Sequence, residues 1–292
     1  MLANDNIRGA LIMMASMAAF TFNDVVFKTL SGDVPLFQAI FIRGCIVSLG
    51  LFVALVASGK LRPSVSAWDR KLITLRTFGE IGATVLFLTA LFNAPIADVT
   101  AILQSAPLVI TFAGAILFKE RVGWRRYVAI AVGLGGVLLI VRPGSEGFNP
   151  YLLYAVGALF FILLRDLPTR RLSASVPSIY VAFLTAVAIT ASAGLASLST
   201  DWVPMTQSSM SRLALAAFFI FGAYTFAVMV MRTGEIGFVQ PFRFTAILWA
   251  ILLGILVFDE YPDALSLLGT AIVISMGVYT FYREGKRARK PD

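Results

Sequence analysis

Runs of about twenty apolar residues, cut by short polar or Pro- and Gly-containing clusters, repeat along the whole 292-residue chain. A helix of that length crosses a hydrocarbon core ~30 Å thick. The pattern predicts ten such spans, near 7–28, 35–57, 72–92, 96–118, 124–141, 150–167, 179–198, 211–231, 238–258 and 264–282. The cuts fall at turn-forming clusters: Ser31-Gly32-Asp33-Val34-Pro35, Asn93-Ala94-Pro95, Arg142-Pro143-Gly144 and Asp259 to Asp263. The small residues Ala15 to Ala19 look like a signal-peptide cleavage region, but the apolar run continues to Phe22, so the first span is read as a retained helix. No loop is long enough to form a separate domain.

Composition agrees with this pattern. With 59% hydrophobic and 14% charged residues, the chain carries more apolar surface than a soluble domain of its length can bury. The fold class expected is an all-α integral membrane protein. The single Cys45 has no partner for an intrachain disulfide and reads as a small packing or lipid-facing residue.

The net charge of +8 is unevenly placed. If the N-terminus is cytoplasmic, one face receives Arg8, Lys60, Arg62, Arg70, Lys71, Lys119, Arg121, Arg125, Arg126, Arg165, Arg170, Arg171, Arg232 and the basic tail. The other face receives only Lys28, Arg142 and Arg212. Basic residues stay on the cytoplasmic side, so both termini are expected there, which requires an even number of spans. The basic balance then reflects topology and anionic lipid headgroups, not nucleic acid.

Sliding the chain by 140 residues aligns Phe20 with Phe160, Phe78 with Phe218, Gly82-Ala83 with Gly222-Ala223, Val99 with Val239 and Gly114 with Gly254. The same shift aligns "FKE" (Phe118 to Glu120) with "FDE" (Phe258 to Glu260). Two halves of five spans, 1–144 and 145–292, must run in opposite senses across the membrane. Such an inverted repeat is a signature of secondary transporters.

Several stretches carry a family resemblance: "AAFTFNDVVFKTL" with Asn23 and Lys28, "VPLFQAIFIRG" with Arg43, "AILQSAPLVITFAGAILFKE" and "FRFTAILWAILLGILVFDEYP". They resemble the bacterial drug/metabolite transporter superfamily, EamA type, over essentially the whole chain. The resemblance implies ten helices around a central cavity, alternating access without ATP or a cofactor, and a small-molecule substrate in a bacterial inner membrane. It points first to export of amino acids, aromatic ones included. The alternative is uptake or exchange of a vitamin- or nucleoside-like metabolite of riboflavin or S-adenosylmethionine type. No phosphate-binding loop is present, which agrees with the absence of an ATPase partner. An enzyme is not expected, since the chain has no histidine, no H-E-x-x-H and no G-x-S-x-G.

Polar residues inside spans are the candidate chemistry, because hydrocarbon tolerates them only with partners or water. Arg76, Glu80 and Arg243 lie at similar depth near one surface and form a candidate inner charge cluster. In one reading Arg243 meets Glu80 as a gate. In the other Arg76 satisfies Glu80 within one helix, four residues away, and Arg243 meets a substrate carboxylate. Asp24, Lys28, Arg43 and Asp98 form a candidate outer cluster, with snorkelling or structural ion pairing as the plainer alternative. Asn23, Phe87, Gln104, Phe161, Tyr224, Thr245 and Trp249 are substrate-cavity candidates, polar and aromatic groups suited to small amphipathic solutes. Pro107 and Pro241 are candidate hinges, or else packing kinks, because each removes a backbone donor within a span.

Overall fold

A computed structural model describes residues 2–61, 63–117, 123–230 and 236–288. The Phe118-to-Glu120 repeat match, Arg62, Lys119, Arg121, Arg232 and the last basic residues lie outside the described residues. The described residues are all helix and connecting turn, and ten segments are long and apolar enough to cross a membrane. Each of the ten spans read from the sequence has its counterpart there, with ends a few residues apart.

The helices are α1 (Leu2–Lys28), α2 (Leu36–Ala57), α3 (Ala67–Asn93), α4 (Ile96–Leu103), α5 (Ala106–Leu117) and α6 (Trp124–Val141). They continue as α7 (Leu152–Thr169), α8 (Ser178–Ser197), α9 (Gln207–Val230), α10 (Ile236–Val239), α11 (Thr245–Phe258) and α12 (Ala264–Ala288). Pro35, Pro95 and Pro177 stand immediately before α2, α4 and α8. A fixed φ and a missing N–H suit a helix start, where first-turn donors have no intrahelical acceptor.

Two spans expected to be continuous are broken. The fourth divides into α4 and α5 at Gln104-Ser105, just before Pro107. The ninth runs from α10 through a 3-10 turn, Gln240–Phe244, into α11, with Pro241 inside the turn. A proline removes one ladder bond and crowds the preceding turn, and each interruption contains or adjoins one.

The chain divides into two compact units. The first comprises Met1–Val25, Ala94–Val156 and Phe218–Asp292; the second comprises Val26–Asn93 and Gly157–Ala217. In the first unit α6 packs along α12, and α4 packs against α11. The α6–α12 contact depends on small residues: a Cβ on Gly136 would lie 2.8 Å from the Gly269 carbonyl oxygen, and one on Gly269 would lie 2.5 Å from that of Gly136. In the second unit α8 packs along α2 and also against α3. Gly79 on α3 lets the α7 backbone approach, since a Cβ there would lie 2.6 Å from the Arg165 nitrogen.

Close backbone approach through small residues is what holds helices together where lipid provides no hydrophobic drive. Gly136→Ala should therefore destabilise the protein by ~1–3 kcal/mol, the usual cost of overpacking. Gly135→Ala, whose Cβ would enter open space, should be neutral or slightly stabilising in the same thermal unfolding measurement in detergent.

Candidate functional site

The first unit contains a polar network built on left-handed helix ends. Arg142 follows α6 with φ 47° and Asp259 follows α11 with φ 54°. Both conformations cost a non-glycine residue ~1–2 kcal/mol. The turn at Asp259 brings the Glu260 carboxylate to the start of α4, where the Ile96 N–H donates to Oε2 at 2.8 Å. The Arg142 guanidinium pairs with the Asp263 carboxylate and reaches Ser266 Oγ at 3.4 Å. The Ser266 backbone N–H donates to Asp263 Oδ1 at 2.8 Å.

That N–H bond first, and then Arg142, hold the Asp263 carboxyl below its usual range. A depressed folded-state value means that the contribution is present at neutral pH and is lost on acidification below the ordinary aspartate range, ~3.9. Asp98 is buried near this network, with Ser266, Asp263, Arg142 and Glu260 as its polar neighbours. None of those four was grouped with Asp98 in the sequence reading. Of the other outer-cluster candidates, Asp24 belongs to the first unit, where Asn23 Nδ2 donates to its Oδ1 at 2.9 Å. Lys28 and Arg43 belong to the second unit, with Lys28 buried and the Arg43 guanidinium 4.2 Å from the Phe27 ring centroid.

The inner candidates also divide between units. In the second, Glu80 has two countercharges: Arg76 at 3.8 Å on its own helix and Arg165 of α7 at 3.4 Å. Arg76 Nη1 donates to Thr185 Oγ1 at 2.6 Å, and Arg165 Nε donates to Asp166 Oδ1 at 2.6 Å. Arg76 is the within-helix neighbour that its four-residue spacing from Glu80 predicts. The sequence places Arg165 only in the cytoplasmic charge count, because 85 residues separate it from Glu80. Arg243 lies in the 3-10 turn of the first unit, and its carbonyl accepts a 2.7 Å bond from Gln104 Nε2. A side chain at one helix break thus satisfies a carbonyl at the other.

The aromatic candidates separate as well. Phe161 fills the space over Gly82, where a Cβ would meet its ring at 2.2 Å, and it neighbours Phe78. This is helix packing within the second unit. Phe87 is half-buried in that unit. In the first unit, Phe22 stacks on Phe219 with centroids 5.3 Å apart and planes 19° apart, and Trp249 lies 6.2 Å from Phe22. Tyr224 is exposed and meets Phe20 edge-on at 5.4 Å. Thr245 Oγ1 donates to the Phe242 carbonyl at 2.7 Å. Phe22 and Phe219 were absent from the sequence candidates. With 24 phenylalanines in the chain, periodicity alone does not single out two.

Comparison with known proteins places this architecture. The model of the EamA-like transporter family matches residues 7–142. A riboflavin transporter of Vibrio cholerae is 30% identical, covering 97% of this chain and 96% of that protein. An S-adenosylmethionine uptake transporter of Rickettsia bellii is 25% identical, over 95% of this chain and 94% of that protein. The pseudopaline exporter of Pseudomonas aeruginosa is 24% identical, over 90% and 93%. A solved crystal structure with 20% identity superposes with a TM-score of 0.63, covering 97% of this chain and 99% of its own, and shares the fold. The molecule is a multi-pass membrane transporter of small molecules. The chain belongs to the EamA-like transporter family of the drug/metabolite transporter superfamily.

The Gln104 bond gives a direct test. Gln104→Leu removes the donor that meets a half-buried carbonyl, a change that costs ~1–3 kcal/mol. Its melting temperature in detergent should fall, whereas Thr245→Val, whose hydroxyl donates to the Phe242 carbonyl three residues away, should change it far less.

Proposed function

We propose that the protein transports, by uptake or exchange, a metabolite that carries a planar heteroaromatic ring on a polar chain, of flavin or nucleoside type. The observation that carries this reading is the aromatic group of Phe22, Phe219 and Trp249 on three helices of one unit. Flat aromatic faces favour offset stacking with a ring of similar size, beyond the area they bury. The relatives' names support it: riboflavin and S-adenosylmethionine each join a fused heteroaromatic ring to a polar chain. Export of amino acids, the first expectation, has less support, because none of these relatives is named for it.

In this reading Trp249 and Phe22 hold the ring, and Tyr224, Asn23 and Thr245 orient polar groups. Arg243 meets the carbonyl-rich or anionic part of the solute. Glu80 already has Arg76 and Arg165 beside it, so the Arg243–Glu80 gate is no longer required to neutralise Glu80. The halves 1–144 and 145–292 act as inverted repeats, with Pro107 and Pro241 as hinge points and both termini cytoplasmic in a bacterial inner membrane. Transport proceeds by alternating access without ATP.

Counterflow in proteoliposomes with labelled riboflavin, S-adenosylmethionine, phenylalanine and tryptophan tests the substrate class. Saturable exchange of riboflavin or S-adenosylmethionine is expected. Trp249→Ala should raise its apparent KM about ten-fold, ~1.4 kcal/mol, at unchanged protein yield. Exchange confined to the amino acids would overturn the reading.

A further inference from the structure

One end of α3 has a feature outside the proposed transport site. Its start is capped from within: Ser66 Oγ donates to Asp69 Oδ2 at 2.7 Å, and the Asp69 N–H donates to Ser66 Oγ at 3.0 Å. Asp69 is buried and also accepts the Ser173 N–H at 3.1 Å. The acid is therefore turned inward, while the adjacent Arg70 and Lys71 are exposed.

Beyond those cations lies a shallow, open groove of about 510 Å³ along this one helix, lined by Arg70, Lys71, Thr74, Leu75 and Phe78. Spacings of three and four residues put these side chains on one helical face. Lys71 and Phe78 stand about 10 Å apart along the axis at 1.5 Å per residue. The rim is doubly cationic with no carboxylate among the described lining residues. The floor is apolar, with Leu75 42% and Phe78 59% exposed. The Thr74 hydroxyl is committed to the Arg70 carbonyl at 3.0 Å. Trp68, 58% exposed, stands one residue from Asp69, the kind of amphipathic ring that settles at headgroup level.

We propose that this groove is a binding site for an anionic phospholipid, with its phosphate and headgroup at Arg70 and Lys71 and an acyl chain along Leu75 and Phe78. A soluble anion would be held by the cations but would leave both apolar side chains uncovered. A zwitterionic lipid brings its own cation to a rim that already holds two. Basic residues at a membrane surface each favour anionic lipid modestly, and the apolar floor adds chain contact at the matching depth.

The test uses Trp68 as the sole tryptophan, with Trp124, Trp202 and Trp249 changed to Phe, in phosphatidylcholine vesicles doped with lipid brominated on its acyl chains. Brominated phosphatidylglycerol should quench Trp68 at about ten-fold lower mole fraction than brominated phosphatidylcholine. The pair Arg70→Gln and Lys71→Gln should abolish that preference, and Arg70→Lys with Lys71→Arg should keep it. Equal quenching by the two lipids, a preference unchanged in the Gln pair, or loss of the preference on adding inorganic phosphate would overturn the site. Native mass spectrometry of the unaltered protein against its Gln pair gives a second readout that does not need the tryptophan changes. Retention of phosphatidylglycerol by the former and not the latter is expected, and equal retention contradicts the proposal.

Discussion

Hydrocarbon offers no partner to a polar group, and most of the specific structure here follows from that constraint. Helices satisfy their own ladders, so the informative places are where the ladder fails or a charge intrudes. At the two broken spans, Gln104 reaches from one break to the Arg243 carbonyl at the other. At the start of α4, the Ile96 N–H finds Glu260, 164 residues away. Ser16 and Thr21 on α1 donate to the carbonyls of Ala223 and Ala246. Each of these bonds joins separate segments of one unit, so satisfying the backbone also fixes how the helices pack.

Charges follow the same rule at higher stakes. Truncating one member of a buried pair is costly because the other is left uncompensated. Glu80 stands between guanidinium groups from its own helix and from α7. Arg142, Asp263, Ser266 and Asp98 form a second network at the ends of α6, α4 and α12. Each of these side chains has polar partners within its own unit. The aromatic group on α1, α9 and α11 is of a different kind, since stacked rings need no charged partner and remain suited to a solute's flat face.

The spans were legible because length and polarity alone define them. Punctuation such as Asn93-Ala94-Pro95 placed their ends within a few residues. Pro107 and Pro241 were legible as candidate hinges or kinks, but the Gln104 bond that joins the two breaks was not. The within-helix pair Arg76–Glu80 could be read from its four-residue spacing. Arg165 could not, because no local spacing connects α3 to α7. Phe161 shows the limit for aromatic residues: its role depends on the absent side chain of Gly82, which is a property of two helices together. Family membership was legible in the motifs, whereas the substrate rests on a few ring contacts that apolar composition conceals.

Compensation of the intramembrane Glu80 comes from within its own unit, from Arg76 and Arg165. Its most direct measurement is a rescue of stability in detergent. Changing both Arg76 and Arg165 to Gln should destabilise the protein by leaving Glu80 without its countercharges. Adding Glu80→Gln should then recover at least ~1 kcal/mol, as expected for groups in one network. No recovery, or a further loss on adding Glu80→Gln, would show that the carboxylate is satisfied elsewhere and would contradict the account.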